Sequence, residues 1–421
     1  MSTGLADRAL PAGPRVLALC RGATPMAEVR LHVPADARTP HALAVATLLA
    51  ACLSARYGDK GEAFELTASA GFRQFAVSGS CPVERLGELL RTLAEVVTDP
   101  AVREDELAWE RTQLIPRLRM LRSYPETVAS AALHRHLFPG HPVTYQTAEE
   151  EELHRVSAAE VRALPAHAFD LKRATLVVVA RTDPEHAADL AEKALSAWRP
   201  PARATAPASP DMPPVPAGRM AVLPLPGAPQ SRIRLRAQAV ATDDPRYPAL
   251  FLASNVLGGY LSSRLSRNLR EEKGYVYGVS SFFDAHPGTA YLGVDADTAA
   301  ATTGEAYAEL TAELERMRTA PPTDAEIAAA RTYALGSMAT RLAPAAALAS
   351  ALADLADGDV DPLWLLDFPR RLRAVTARQV VEAAAEFFAP QRFSGIVAAD
   401  PHTSGLLTSD LTFDTVPTPW S

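Results

Sequence analysis

The sequence predicts an α+β protein built from two homologous domains, each a mostly antiparallel sheet with several helices. Three observations carry that expectation. The segment VSAAEVRALPAHAFDLKRATLVVVARTDP (Val156 to Pro184) recurs as VTARQVVEAAAEFFAPQRFSGIVAADP (Val375 to Pro401). The pairs Val156/Val375, Ala158/Ala377, Val161/Val380, Phe169/Phe388 and Arg173/Arg392 all lie 219 residues apart. Residues 199–218, RPPARATAPASPDMPPVPAG, hold seven prolines and almost no large apolar side chains, the composition of a semi-rigid linker. Finally, short apolar runs of strand character are interleaved with longer amphipathic stretches of helical period throughout. A repeat of this length is too long for a solenoid unit and fits a duplicated domain. The expected boundaries are therefore 1–198, a linker at 199–218, and 219–421.

Taken in order, VLAL and EVRLHV within residues 15–33 read as neighbouring strands. A helix follows from about His41 to Arg56, ended by Gly58. FELTASAGFRQFAVSGSC alternates in polarity and turns at Gly71, which is a hairpin pattern. PVERLGELLRTLAEVVTDP and REDELAWERTQLIPRLRMLRSYPE are helical, and Pro116 is expected to kink the second or mark a join. ETVASAALHRHLF is a further helix. Thr147 with Glu150 has the spacing of a capping box ahead of TAEEEELHRV. SAAEVRALPAHAF reads as helix and ATLVVVA, an unbroken apolar run, as a buried strand. Past the linker, a helix from Tyr247 corresponds in order to the one from His41.

Phe251–Phe283 is the most informative stretch. Its helical first half breaks at Gly258-Gly259 and resumes with Leu261, Leu265 and Leu269 on one stripe. Lys273 and Gly274 supply a helix stop. YVYGVSSFF then has the aromatic and β-branched content of a strand. This places Arg270 near a helix end and Tyr277 early on the next strand. A guanidinium presents a rigid fork of donors suited to a peptide carbonyl. A tyrosine hydroxyl can donate to an oxyanion formed during attack on an acyl group.

Composition excludes several classes. With 48% hydrophobic and 22% charged residues the chain is globular, and a net charge of −7 argues against a nucleic-acid surface. Three cysteines without a Cys-x-x-Cys indicate a reducing compartment, with Cys52 and Cys81 in apolar, core-like contexts. No apolar run has the length of a membrane span, so no membrane partner is expected, and the first residues lack a secretory pattern. The expected location is cytoplasmic. GDKGE at 58–62 lacks the remainder of a phosphate loop, and no Gly-x-Ser-x-Gly elbow occurs. His134, His136 and His141 form the one histidine cluster, but positions two apart on a helix diverge, so no metal site is assigned there. His41 is read as a surface histidine and Glu149–Glu152 as a solvated helix start.

The segment LGGYLSSRLSRNLREEKGYVYGVSS resembles the signature of the second half of the M16 (insulinase/pitrilysin-like) metallopeptidases, in the short, processing-peptidase-like layout. The resemblance implies two similar α+β halves. It also implies that Arg270 and Tyr277 bind substrate at a zinc site. Catalytic members carry His-x-x-Glu-His on the first long helix, two zinc ligands on one helical face with a glutamate base between them. Here that helix reads HALAVATLLAACL, and the motif occurs nowhere in the chain. The lost positions align near Ala44, Thr47 and Leu48, and the downstream glutamate near Pro116 or Arg117. No metal is expected in this chain and no activity from it alone. The implied assembly is a heterodimer with a homologous zinc-bearing subunit, acting on a peptide. The alternatives are a catalytically silent structural subunit and a peptide-binding protein of the same fold.

Overall fold

A computed structural model describes residues 4–11, 13–22, 24–35, 37–58, 64–170, 172–196, 198, 211–357, 360–403 and 414–420. Residues 199–210 of the expected linker lie outside the described residues. The first sheet contains β1 (Leu5–Ala9), β2 (Arg15–Cys20), β3 (Met26–Pro34), β4 (Glu65–Ala70), β5 (Gln74–Pro82) and β6 (Thr175–Ala180). The second contains β7 (Met220–Pro224), β8 (Gln230–Gln238), β9 (Val276–His286), β10 (Thr289–Ala299), β11 (Ser394–Ala399) and β12 (Asp414–Thr415). Their orders are β1-β2-β6-β3-β5-β4 and β12-β7-β11-β8-β10-β9. From the second position onward the two orders are identical. In each sheet the long central pairings are antiparallel, while β2–β6 and β7–β11 are parallel. The expected α+β duplication is thus present as two six-stranded, mostly antiparallel sheets with helices.

Local chemistry explains the repeat. Both β6 and β11 are buried along their whole length, matching their unbroken apolar runs. The helices before them, Ala158–Ala168 and Ala377–Phe387, open with full capping boxes at Ser157/Glu160 and Thr376/Gln379. Arg111 donates to the carbonyls of Leu153 and Val156, and Arg331 to those of Leu372 and Val375. Each arginine satisfies the orphan carbonyls where one helix hands over to the next.

The chain clusters into two compact units, and neither is a continuous piece. The first joins residues 1–120 and 145–210 with 340–362; the second joins 121–144 with 211–339 and 363–421. Two equivalent helices of 13 residues, Pro125–Leu137 and Ala345–Asp357, are each packed in the unit formed mainly by the other half. A buried arginine receives each one. On β3, Arg30 donates to Ser350 Oγ (2.9 Å) and to the Ala346 carbonyl (3.3 Å) of Ala345–Asp357. On β8, Arg234 pairs with Glu126 of Pro125–Leu137 and with Asp297 (2.8 Å).

Some local expectations are revised. The helix Glu104–Ser123 runs through Pro116 without a join. Thr112, whose carbonyl loses its helical partner to the proline, lies on the exposed side, where water can replace it. Thr147/Glu150 is not a capping box; the helix Glu150–Arg155 is capped by Glu149, with no side-chain cap bond. The strand β1 and the helix Pro184–Leu195 were not anticipated. Among the described residues no helix is long and apolar enough to cross a membrane.

Candidate functional site

The corner carrying Arg270 and Tyr277 rests on a largely buried base. Helix Tyr247–Gly258 is apolar on nearly every side and packs beside β9. Tyr247 and Phe251 meet Phe283 of β9 at ring distances of 5.2 and 6.1 Å. Ser254 and Ser281 share a hydrogen bond of 2.6 Å between helix and strand. Gly258 permits this approach, since a Cβ there would lie 2.7 Å from the Ser281 amide nitrogen. Helix and strand are therefore one rigid support within the second unit.

After the Gly258-Gly259 break the chain winds into a π-helical segment, Ser266–Glu272. Leu265 and Leu269 are fully buried, whereas Leu261, expected on the same stripe, is 71% exposed. It sits in the turn before winding resumes, so the helical period does not reach it. The Lys273 amide donates to the Asn268 carbonyl, five residues back, at 3.0 Å. Gly274 adopts φ +66°, the left-handed stop that glycine tolerates best. The Tyr275 amide then closes onto the Leu269 carbonyl at 2.8 Å.

Arg270 is exposed within the π-helical segment, and Tyr277, 60% exposed, is the second residue of β9. In the β9–β10 register Gly278 faces Asp297 and Val276 faces Thr298, so Tyr277 is the extra residue of a β-bulge. A bulge breaks the alternation of a strand and re-aims a side chain. Among the described residues neither Arg270 nor Tyr277 makes a side-chain hydrogen bond or ion pair. β9 is the outermost strand of its sheet, and its outer edge is unpaired among the described strands. β10 cannot offer an edge, because β8 and β9 occupy both of its sides.

The first unit holds the helix on which the resemblance places the zinc motif. On Pro40–Tyr57, Ala44 and Leu48 are fully buried, and Thr47 Oγ1 donates to the Leu43 carbonyl at 2.7 Å. Pro116 and Arg117 lie exposed on their own helix. Among the described residues no group of three or more His, Cys, Asp or Glu side chains is arranged to hold a metal. The histidines of the HRHLFPGH stretch engage backbone instead. His134 Nδ1 lies 2.8 Å from the Ser130 carbonyl, His136 Nε2 3.2 Å from the Arg219 carbonyl, and His141 Nδ1 accepts from Val143. Burial lowers the pKa of both His134 and His136, keeping them neutral. Burial also pushes the Cys52 and Cys81 thiols up to about 12, so neither is a nucleophile. His41 is not a bare surface group: it sits 2.9 Å from Glu152 and 3.0 Å from Glu160.

Sequence reasoning missed one feature of the corner. A cavity of about 870 Å³ lies against the π-helical segment, lined by Tyr260, Arg264, Arg267, Lys273, Glu309 and Glu326 among others. Glu309 and Glu313 both face Asn268 there. A signal was there to be read: on helix Thr303–Thr319 Glu313 falls on the stripe of Ala306, Leu310 and Met317, a carboxylate in the apolar period, and it is 6% exposed.

Comparison with known proteins agrees with this architecture. Residues 155–333 match the family described as Peptidase M16 inactive domain. In fold, the chain is similar to a peptidase M16 inactive domain from Pseudomonas fluorescens, with 21% identity, a TM-score of 0.81, and coverage of 98% of this chain and 99% of that one. A protease from Helicobacter pylori is similar at 17% identity and TM-score 0.79, covering 94% and 99%. A chain of Complex III2 from Candida albicans is similar at 15% identity and TM-score 0.78, covering 95% and 97%. No curated protein matches in sequence. The chain is M16-like, by sequence over residues 155–333 and by fold over nearly its whole length, and its sequence lacks His-x-x-Glu-His.

Proposed function

We propose that this M16-like chain is the non-catalytic subunit of a two-chain zinc peptidase, closing a chamber over a peptide and contributing Arg270 and Tyr277 in trans. One observation carries the reading. An arginine and a tyrosine that make no side-chain hydrogen bond or ion pair among the described residues are held out on a corner with a buried base, the tyrosine by a bulge, in a chain that lacks the zinc motif.

In this reading a homologous partner subunit brings the zinc and the general base. Arg270 donates to a substrate carbonyl and fixes the peptide's register. Tyr277 donates a hydrogen bond from its hydroxyl to the oxyanion as the tetrahedral intermediate forms. The open edge of β9 pairs with an extended stretch of substrate, and main-chain hydrogen bonds supply sequence-independent affinity. The three free cysteines suit a reducing, cytoplasmic setting.

The test is peptide cleavage by this chain alone, by a zinc-bearing sister chain alone, and by the mixture. Activity confined to the mixture and reduced by Arg270→Ala supports the reading. Removing one oxyanion donor typically costs about 10²–10³ in turnover, so Tyr277→Phe should lower kcat in the mixture by that order. An unchanged rate would take Tyr277 out of the mechanism. One alternative is a structural subunit without chemistry. Full activity of the sister chain alone, with no gain on mixing, would select it, and peptide binding by this chain alone would select a peptide-binding protein.

A further inference from the structure

We infer that Asn268, Glu309 and Glu313 are positioning residues that hold the corner from behind and so aim Arg270 and Tyr277; the inference rests on the trans-acting role proposed above. A π-helical turn is rarer than an α-helical one and persists where something holds it. Here the residues that close the turn are also the ones tied down. The Asn268 backbone carbonyl accepts the Lys273 amide, while its side-chain amide donates to Glu309 Oε1 at 2.7 Å and to Glu313 Oε1 at 2.5 Å. Lys273 Nζ reaches Glu309 Oε2 at 3.2 Å. Both ends of the turn are thus anchored to one helix, Thr303–Thr319, and Arg270 lies between them, exposed.

The anchor differs from a surface ion pair. Asn268 is 9% exposed and Glu313 is 6% exposed, so losing a partner leaves a polar group stranded away from water. Arg316 lies 2.5 Å from Glu309 and 2.7 Å from Glu313, which lets two carboxylates share one amide. The hydrogen bond from Asn268, then that from Arg316, draws the Glu309 carboxyl down to about 2, so it stays an acceptor at neutral pH. A second anchor fixes the approach to the bulge. Thr298 Oγ1 donates to the Tyr275 carbonyl at 2.6 Å and Thr302 Oγ1 at 3.3 Å, two residues before Tyr277.

Hydrogen exchange on the full-length chain tests this without a partner. Asn268→Ala should speed exchange of amides 268–277 about tenfold while helix Tyr247–Gly258 keeps its protection. If that variant loosens globally, Glu313→Gln is the second probe. It keeps an oxygen for the Asn268 amide, and its smaller effect should be confined to the same stretch. Unchanged exchange at 268–277 in both variants overturns the inference. In the mixture with a zinc-bearing sister chain, Asn268→Ala should lower kcat about tenfold, and should add little to the loss from Arg270→Ala and Tyr277→Phe combined. Fully additive losses would show that Asn268 acts through neither Arg270 nor Tyr277 and would overturn the positioning role. If Arg270→Ala leaves the mixture unaffected while local exchange still rises, the trans-acting reading falls and the anchoring of the corner stands.

Discussion

Arg234→Met removes the charge that receives helix Pro125–Leu137 while keeping an apolar stem in its place. The arginine side chain is 5% exposed; its guanidinium serves Glu126, Asp297 and the carbonyls of Ile233 (3.0 Å) and Ala296 (3.1 Å). Its partners lose unequally. Glu126 and Asp297 have side chains 59% and 44% exposed, so both can rehydrate. Asp295 keeps Arg236 at 2.5 Å. The loss therefore falls mainly on the two buried carbonyls, and we expect about 2–3 kcal/mol, below the 3–5 typical of a broken buried pair. Arg30→Met should cost more, about 3–5 kcal/mol, because Glu28 is only 16% exposed and would be left beside the gap. A chain of two units need not unfold in one step, so the assay is segment-resolved hydrogen exchange as a function of urea. Arg234→Met should lower protection in 125–137, and Arg30→Met in 345–357. Losses below about 1 kcal/mol in both, or the reverse order, would refute the account of these arginines as receptors for the crossing helices.

Three further outcomes are expected. His41 is held protonated chiefly by its hydrogen bond to Glu160, with Glu152 adding to it, so its pKa is raised. The stabilisation is complete below the ordinary histidine pKa and is lost as pH rises through the raised one. Comparing the unfolding midpoints of wild type and His41→Gln at pH 5.5 and 9 should give a gap that narrows at the higher pH. Gly395→Ala should destabilise by about 3 kcal/mol or more, since a Cβ there would lie 2.0 Å from the Arg234 carbonyl oxygen, while Gly278→Ala, opening onto free space, should be close to neutral in denaturant titration. In native buffer a maleimide should label Cys20 rapidly and leave the buried Cys52 and Cys81 unmodified; fast labelling of all three would contradict their burial.

The duplication was legible because it is written twice in residues whose chemistry is local: capping Ser157 and Thr376, apolar runs at β6 and β11, and Asp-Pro after each. The corner was legible for the same reason, as Gly258-Gly259 and Lys273-Gly274 punctuate it. What stayed hidden depends on partners distant in sequence. The skipped register at Tyr277 is set by Asp297 and Thr298 across the hairpin, and nothing in YVYGVSS announces it. The π-helical winding that strands Leu261 in the turn is closed by five-residue hydrogen bonds that a 3.6-residue period does not anticipate. Arg30 and Arg234 read as ordinary strand charges, because the helices that surround them come from the other half of the chain.

That crossing has a historical side. Were the two halves ever separate chains, each would have lent its 13-residue helix to its neighbour, and the ancestral molecule would have been a swapped dimer rather than a pair of free monomers. The proline-rich segment then acts as a fuse, making a bimolecular exchange intramolecular and independent of concentration. It also sets a limit on dissection. Severing the chain near residue 210 after folding should leave the fragments joined, while either fragment made alone lacks a helix its own sheet requires and exposes the apolar face that helix would cover.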